Sequence, residues 1–332
     1  MSCSSPRPRL LITGANGFLG RICYHELKDD FEISLVDRAV GVDARNRFAL
    51  EGVGQPKVDT AAGAAASAVA DSTSSQLLHS LLIPESSVHQ LDLSSQSSEF
   101  DSLLQDLRPS IVLHLANVLE SSSVELILLN DAINSTVLEL CVKRSIKLVC
   151  ASSIMVLYGA VMNDALLSRV LRMDSTAHVP SSARLHSGTV LDNTEQSIRL
   201  YSPSGWLQNL TYMQTKERLE AKSQLMVQQA GEETTIVCVR FGWASIRRAE
   251  EIEQHGAMDA SASESRISET SIVLSTADLR SFVSRLLHGV SSGSVRGFRV
   301  YSAVSEHPQR WVCLEREREE FGWTPAVLNS EP

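Results

Sequence analysis

A glycine turn set between an apolar strand and a helix constrains this chain more than any other feature. Arg9-Leu10-Leu11-Ile12 reads as a strand, and Thr13-Gly14-Ala15-Asn16-Gly17-Phe18-Leu19-Gly20 follows with glycines at i, i+3 and i+6. The first glycine permits a tight turn, and the second lets a ligand approach bare backbone. The third lets the following helix pack closely on the sheet. A turn of this kind opens a strand–helix–strand unit. The expected fold is therefore α/β, a Rossmann-type doubly wound parallel sheet with a smaller C-terminal substrate lobe.

The rest of the chain keeps that alternation. The helix behind strand one is read at Gly17 to Lys28, strand two at Glu32 to Val36, and a short strand at Val88 to Leu91. Two more strands are predicted at Ser110 to Leu113 and Lys147 to Ala151, around a helix at Val124 to Lys143. Further on come a helix at Gln208 to Gln229, a strand at Thr235 to Arg240 and a helix at Thr276 to His288. A strand at Phe298 to Ser302 and a terminal helix ending near Phe321-Gly322-Trp323 close the chain. The expected division is a dinucleotide-binding domain over 1–240 and a small substrate lobe over 241–332, interleaved with it. A surface insertion is expected at about 40–86, because Ala61 to Ser75 (AAGAAASAVADSTSS) lacks the large apolar residues that would order it. The acidic stretch Ala249 to Glu269 reads as a loop.

Strand two ends in Leu35-Val36-Asp37, which puts a carboxylate about 20 residues after the glycines, where an adenosine ribose would lie. A carboxylate accepts from the ribose hydroxyls and repels a 2′-phosphate, so the pattern points to NAD over NADP. Arg38 beside it is the feature that would suit the phosphate instead. A strand-to-helix turn that binds nothing is the plainer alternative for the glycines alone.

Tyr212 and Lys216 stand at i and i+4, on one helix face. A phenol titrating near pH 10 is a poor base, but an adjacent ammonium and an oxidised nicotinamide both favour the phenolate. Tyr212 can then take a proton from a hydroxyl while hydride leaves the same carbon. Ser153, at the end of a strand, would hydrogen-bond the oxygen that changes charge, with Ser152 as the alternative. A surface Tyr/Lys pair is the plainer reading of that spacing. His114 reads as a packed strand-end histidine, Trp311 and Trp323 as anchors of the terminal helix, and Asp92 as a residue that could cap a turn.

Bulk properties exclude some classes. A formal net charge of -9 argues against affinity for nucleic acid or an anionic membrane surface. No apolar run approaches the roughly 20 residues of a membrane span. Eight residues before the first strand are too few for a signal peptide. The cysteines are scattered, with no CxxC pair and no metal-ligand spacing, which fits a reducing cytoplasm and predicts no metal.

Taken in order, these motifs resemble the extended short-chain dehydrogenase/reductase family, also called the NAD-dependent epimerase/dehydratase family. The resemblance runs through LLITGANGFLG, Asp92-Leu93, Val112-Leu113-His114-Leu115-Ala116, Cys150-Ala151-Ser152-Ser153 and Tyr212-Met213-Gln214-Thr215-Lys216. Val237-Cys238-Val239-Arg240-Phe241-Gly242 and the stretch from Arg310-Trp311 to Thr324-Pro325 are similar to the uronate-dehydrogenase-like branch.

The resemblance implies an NAD-dependent oxidoreductase acting on a hydroxyl of a sugar-like or small polar substrate. An internal epimerase and a non-catalytic NAD-binding or sensing protein are the alternatives. It implies catalytic roles for Ser153, Tyr212 and Lys216. For the cofactor it implies Gly14, Asn16, Gly17, Phe18, Leu19, Gly20, Asp37, Arg38, Asp92, Leu93 and Ala116, with Tyr212 and Lys216. It also implies a small-molecule partner and often a homodimer through the two long helices. Three places depart from the family pattern: Asn117 replaces a second alanine, and the helix around Asn130 to Thr136 lacks a glycine. Trp243 stands where uronate-oxidising members carry a small residue, while Arg240, Arg247 and Arg248 remain candidates for a substrate carboxylate.

Overall fold

A computed structural model describes residues 6–39, 83–118, 124–164, 179–189, 206–245, 269–307 and 309–326, with a few positions between 167 and 196. The insertion core and the acidic stretch after residue 249 lie outside the described residues.

The strands of the described chain are β1 (Arg9–Thr13), β2 (Glu32–Asp37), β3 (Val88–Gln90), β4 (Ile111–His114), β5 (Lys147–Ser153), β6 (Ile236–Phe241), β7 (Trp243–Ser245), β8 (Val273–Ser275) and β9 (Phe298–Ala303). The helices are α1 (Phe18–Leu27), α2 (Ser97–Leu107), α3 (Val124–Lys143), α4 (Tyr158–Asn163), α5 (Trp206–Ala230), α6 (Thr276–Ser292) and α7 (Glu315–Phe321). Seven strands form one parallel sheet in the order β3-β2-β1-β4-β5-β6-β9, and β7 and β8 form a second, two-stranded one. The order reverses between β1 and β4, which opens a crevice at the strand ends, the usual ligand site of such sheets.

Burial on both faces follows from the sequence. Leu10 and Ile12 enter one apolar core with Ile22, Leu27 and Phe282, whereas Leu11 enters the other with Phe100, Leu104, Val137 and Leu219. Successive strand side chains point to opposite faces, so each apolar run feeds two helix layers. Helix α1 packs against α6 on one side, and α3 packs against α5 on the other.

The predicted elements are present, with ends displaced by a few residues. The displacement that matters is at β5, which extends to Ser153 and so carries both serines at its end. Helix α2 was not anticipated, although Phe100, Leu103, Leu104 and Leu107 recur at helical spacing among the serines. The β7–β8 pair was also missed. Its strands are three residues each, too short to show a period. Past β6 the chain returns a strand, β9, to the main sheet beside β6. Helix α7 ends at Gly322, whose φ of 69° suits a residue without a Cβ. Trp311 and Trp323 are fully buried, and their indole N–H groups donate to Ser271 Oγ (3.0 Å) and Ser281 Oγ (2.9 Å).

Candidate active site

One cavity of about 520 Å³ runs along the C-terminal ends of the strands, and every residue the sequence assigns to cofactor binding or catalysis lines it. Gly14, Asn16, Gly17, Phe18, Leu19 and Gly20 form one end with Asp37, Arg38, Asp92 and Leu93. Ala116 lies between, and Ser153, Tyr212 and Lys216 lie toward the other end.

Gly14 has φ of 70°, and a Cβ there would sit 2.6 Å from the Ala116 nitrogen. A Cβ on Gly20 would sit 2.4 Å from the Gly14 carbonyl oxygen, so this glycine is what lets α1 close on the turn. Gly17 is less crowded by its own chain, its nearest such contact being 3.2 Å. It is the N-cap of α1 and no side chain caps that helix. A helix start left without a capping side chain is a natural seat for a phosphate. The turn therefore fits a dinucleotide.

Asp37 holds the turn against strand β2. Its Oδ2 accepts from the Asn16 backbone N–H (2.9 Å) and its Oδ1 from Ala39 (3.0 Å), while Asn16 Nδ2 donates to the Ala39 carbonyl (2.6 Å). Each carboxylate oxygen has a second lone pair for a ribose hydroxyl. Asp92 does cap a turn, accepting from the Ser94 N–H (2.9 Å) and hydroxyl (2.6 Å), and these bonds pull its carboxyl below the usual range. Capping and lining the cavity are both true of this residue.

At the other end the two serines divide. Ser153 is the one that hydrogen-bonds Tyr212, and its Oγ also accepts from the Met155 N–H (3.2 Å). Ser152 instead donates to Glu220 Oε1 (2.6 Å). Glu220 also accepts from Arg240 Nε (2.9 Å) and Nη2 (2.7 Å), a buried bidentate pair, and Arg240 Nη1 reaches the Ser187 carbonyl (3.2 Å). This corrects the expectation that Arg240 could take a substrate carboxylate: all three of its nitrogens are engaged within the protein. Arg247 and Arg248 lie outside the described residues.

Lys216 is buried under the Tyr212 ring, its Nζ 5.6 Å from the ring centroid, and donates to the Ala151 carbonyl (2.9 Å). Burial pulls its ammonium down to about 8. Tyr212 is pushed up by burial, and the Ser153 hydrogen bond lowers it in part. Of the two groups expected to favour the phenolate, the neighbouring lysine does not offset burial, and the Ser153 hydroxyl is the group that lowers the phenol. Within the protein alone burial wins, and the phenolate needs further positive charge. Burial also drives His114 down to about 4, so it is neutral. Asn134 Oδ1 can only accept from His114 Nε2 (3.0 Å), hence Nδ1 accepts from the Thr13 hydroxyl (2.7 Å). His114 is a strand tie, as its sequence position suggested.

Three participants escaped the sequence reading. Glu220 continues the Tyr212–Lys216 spacing by another four residues, a signal that was available. Asn193 joins three elements: it accepts from Gly159 N–H (2.7 Å) and donates to the Val156 carbonyl (2.6 Å) and to Glu217. Asn130 clamps the chain after β4 through both Val118 backbone groups (2.9 Å each). Neither asparagine carries a motif.

Residues 10–168 match the model of the NAD dependent epimerase/dehydratase family. No curated protein sequence matches the chain. Among solved structures it is similar to UDP-glucose-4-epimerase from Stenotrophomonas maltophila with bound NAD and formylated UDP-arabinopyranose. The TM-score is 0.58 at 12% identity, over 97% of this chain and 94% of that one. It is similar to glucuronic acid dehydrogenase from Chromohalobacter salexigens, with TM-score 0.57 and 15% identity over 97% and 86%. It is also similar to a mutant of uronate dehydrogenase from Agrobacterium tumefaciens complexed with NAD, with TM-score 0.56 and 16% identity over 97% and 85%. At these identities the likenesses speak for the fold. Among the described residues no helix is long and apolar enough to cross a membrane.

Proposed function

We propose, on the match of residues 10–168 to the model of the NAD dependent epimerase/dehydratase family, that this chain is an NAD-dependent oxidoreductase acting on a hydroxyl of a sugar-like or small polar substrate. The observation that carries the proposal is one cavity lined at one end by the glycine turn and Asp37 and at the other by Ser153, Tyr212 and Lys216. Solved relatives in fold include dehydrogenases and an epimerase, two of them holding NAD.

When bound, NAD supplies the hydride acceptor and the positive charge that burial of Tyr212 calls for. The α1 N-terminus and Gly17 would hold its pyrophosphate, and Asp37 its adenosine ribose. Asp92 and Leu93 would edge the adenine. Tyr212 would take the proton of the substrate hydroxyl, Ser153 would hydrogen-bond that oxygen, and Lys216 would hold the second ribose. The same reading extends to a homodimer across α3 and α5, where Leu128 and Leu225 stand exposed. The free cysteines, four of them buried, suit a reducing cytoplasm.

The test is reduction of NAD over a panel of aldoses, uronates, hydroxy acids and alcohols. Tyr212→Phe should lower kcat at least about 1000-fold and Ser153→Ala about 100-fold, each with NAD affinity kept within about threefold. NAD binding with no turnover in the wild type would favour a non-catalytic sensor.

A further inference from the structure

We infer that the substrate is an uncharged secondary alcohol, or the matching ketone, which lays a ring or other flat apolar face on the Trp243 indole. This rests on the oxidoreductase reading and narrows its substrate class.

The placement of Trp243 is set by backbone. Phe241 of β6 pairs in register with Ser153 of β5, so Trp243 emerges two residues beyond the position beside Ser153. Between them Gly242 makes a close crossing: its N–H donates to the Ala303 carbonyl (2.8 Å), and a Cβ would meet the Ile272 oxygen at 2.3 Å. Trp243 then pairs with Val273 in the β7–β8 ribbon. The indole lines the cavity yet remains 44% exposed, whereas Trp311 and Trp323 are fully buried. A partly exposed tryptophan among the lining residues offers a platform for a ring or a sugar's C–H face.

The chemistry around it is carbon-rich. Ile154, Met155, Phe241 and Ile272 line the same cavity, together with the hydroxyl-bearing Ser152, Ser153, Tyr158 and Tyr212. The described lining holds two cations, Arg38 and Lys216. Arg38 follows Asp37 at the glycine end, and Lys216 sits behind Tyr212 on the Ala151 carbonyl. Arg240, opposite Ser152 in register, is bound bidentately to Glu220. Against the described part of this wall a substrate carboxylate would lose its hydration, and the guanidinium nearest Ser152, that of Arg240, is already held by Glu220. A neutral alcohol carries no such penalty. Bound NAD would supply the acceptor for the carbinol hydride, and Tyr212 would take the O–H proton. The two-electron balance would then be the alcohol oxidised to the ketone against reduction of NAD.

The experiment uses NAD-loaded protein and isothermal titration with matched pairs: 1-phenylethanol against mandelate, and glucose against glucuronate. The neutral member of each pair should bind at least about tenfold more tightly. Trp243→Ala should weaken 1-phenylethanol about tenfold and leave NAD affinity and melting temperature unchanged. Where turnover is measurable, kcat/KM should follow the same order. Equal or tighter binding of the acids overturns the inference, as does an unchanged affinity in Trp243→Ala or no binding by any member. Each of those results leaves the dinucleotide site standing. Failure of NAD itself to bind overturns the oxidoreductase reading and this inference with it.

Discussion

Asp37 lines one end of the cavity and Glu220 lies behind Ser152 at the other, and both carboxylates accept hydrogen bonds on each oxygen. Their surroundings differ. Asp37 is half-buried and accepts two backbone N–H groups in the glycine turn. Glu220 is buried and takes a serine hydroxyl and a guanidinium fork. One end of the site is built from backbone shape, with a few polar groups left facing the cavity. The other is built from side chains that satisfy one another inside the protein. Function at the first end should break without the fold; at the second, fold and function should break together.

The largest separation is expected from Glu220→Ala. It leaves the Arg240 guanidinium buried without its partner, a change that costs about 4 kcal/mol. Urea unfolding measures it, and a loss below about 1 kcal/mol would remove the distinction between the two ends. The matching change at the other end, Asp37→Ala, should cost less than about 1 kcal/mol of stability, because water can reach the two released amides.

Lys216 sharpens the same contrast through pH. Its ammonium titrates at about 8 in the folded chain, against 10.5 for the ordinary side chain. Between those values the unfolded chain holds a proton the folded chain has released, so stability rises with pH across the window. Below pH 8 both states are protonated and the full cost of burying the charge is present. The stability of wild type relative to Lys216→Met should therefore improve by about 3 kcal/mol from pH 8 to pH 10.5. Denaturant unfolding at three pH values reads it; a flat difference would mean that the buried site does not penalise the ammonium.

The same contrast decides which features are legible in the sequence. The glycine spacing, Asp37 and the Tyr212–Lys216 pair were legible because a close backbone approach, a strand end and a helix face each impose a spacing. The division between Ser152 and Ser153 was not, since it depends on where β5 ends and on Glu220 across the layer. Arg240 was misjudged for the same reason: a partner on another element decides whether a guanidinium faces ligand or protein. Asn193 depends on an irregular connection, where no period exists to read, and the β7–β8 strands are too short to show one. Helix α2 had the period and was hidden by its serines.

At the cofactor end, Asp37→Ala should weaken NAD about tenfold, or about 1.4 kcal/mol, and raise affinity for NADP relative to NAD. Titration of both dinucleotides into wild type and variant gives the answer. A wild type that already prefers NADP would assign the ribose end to Arg38 instead.

The smallest effect tests the finest division, that between neighbouring serines. Ser152→Ala removes one hydroxyl from Glu220 while both Arg240 bonds remain, so the pair stays neutralised. The expected loss is about 1 kcal/mol of stability, with turnover kept within about threefold. Ser152 does not bond Tyr212, and its effect should reach the phenol only through α5, which the Glu220–Arg240 pair continues to hold. A kcat loss as deep as that of Ser153→Ala would mean that the buried network transmits position to the reacting oxygen. The two ends of the cavity would then differ in burial and no longer in how function is built.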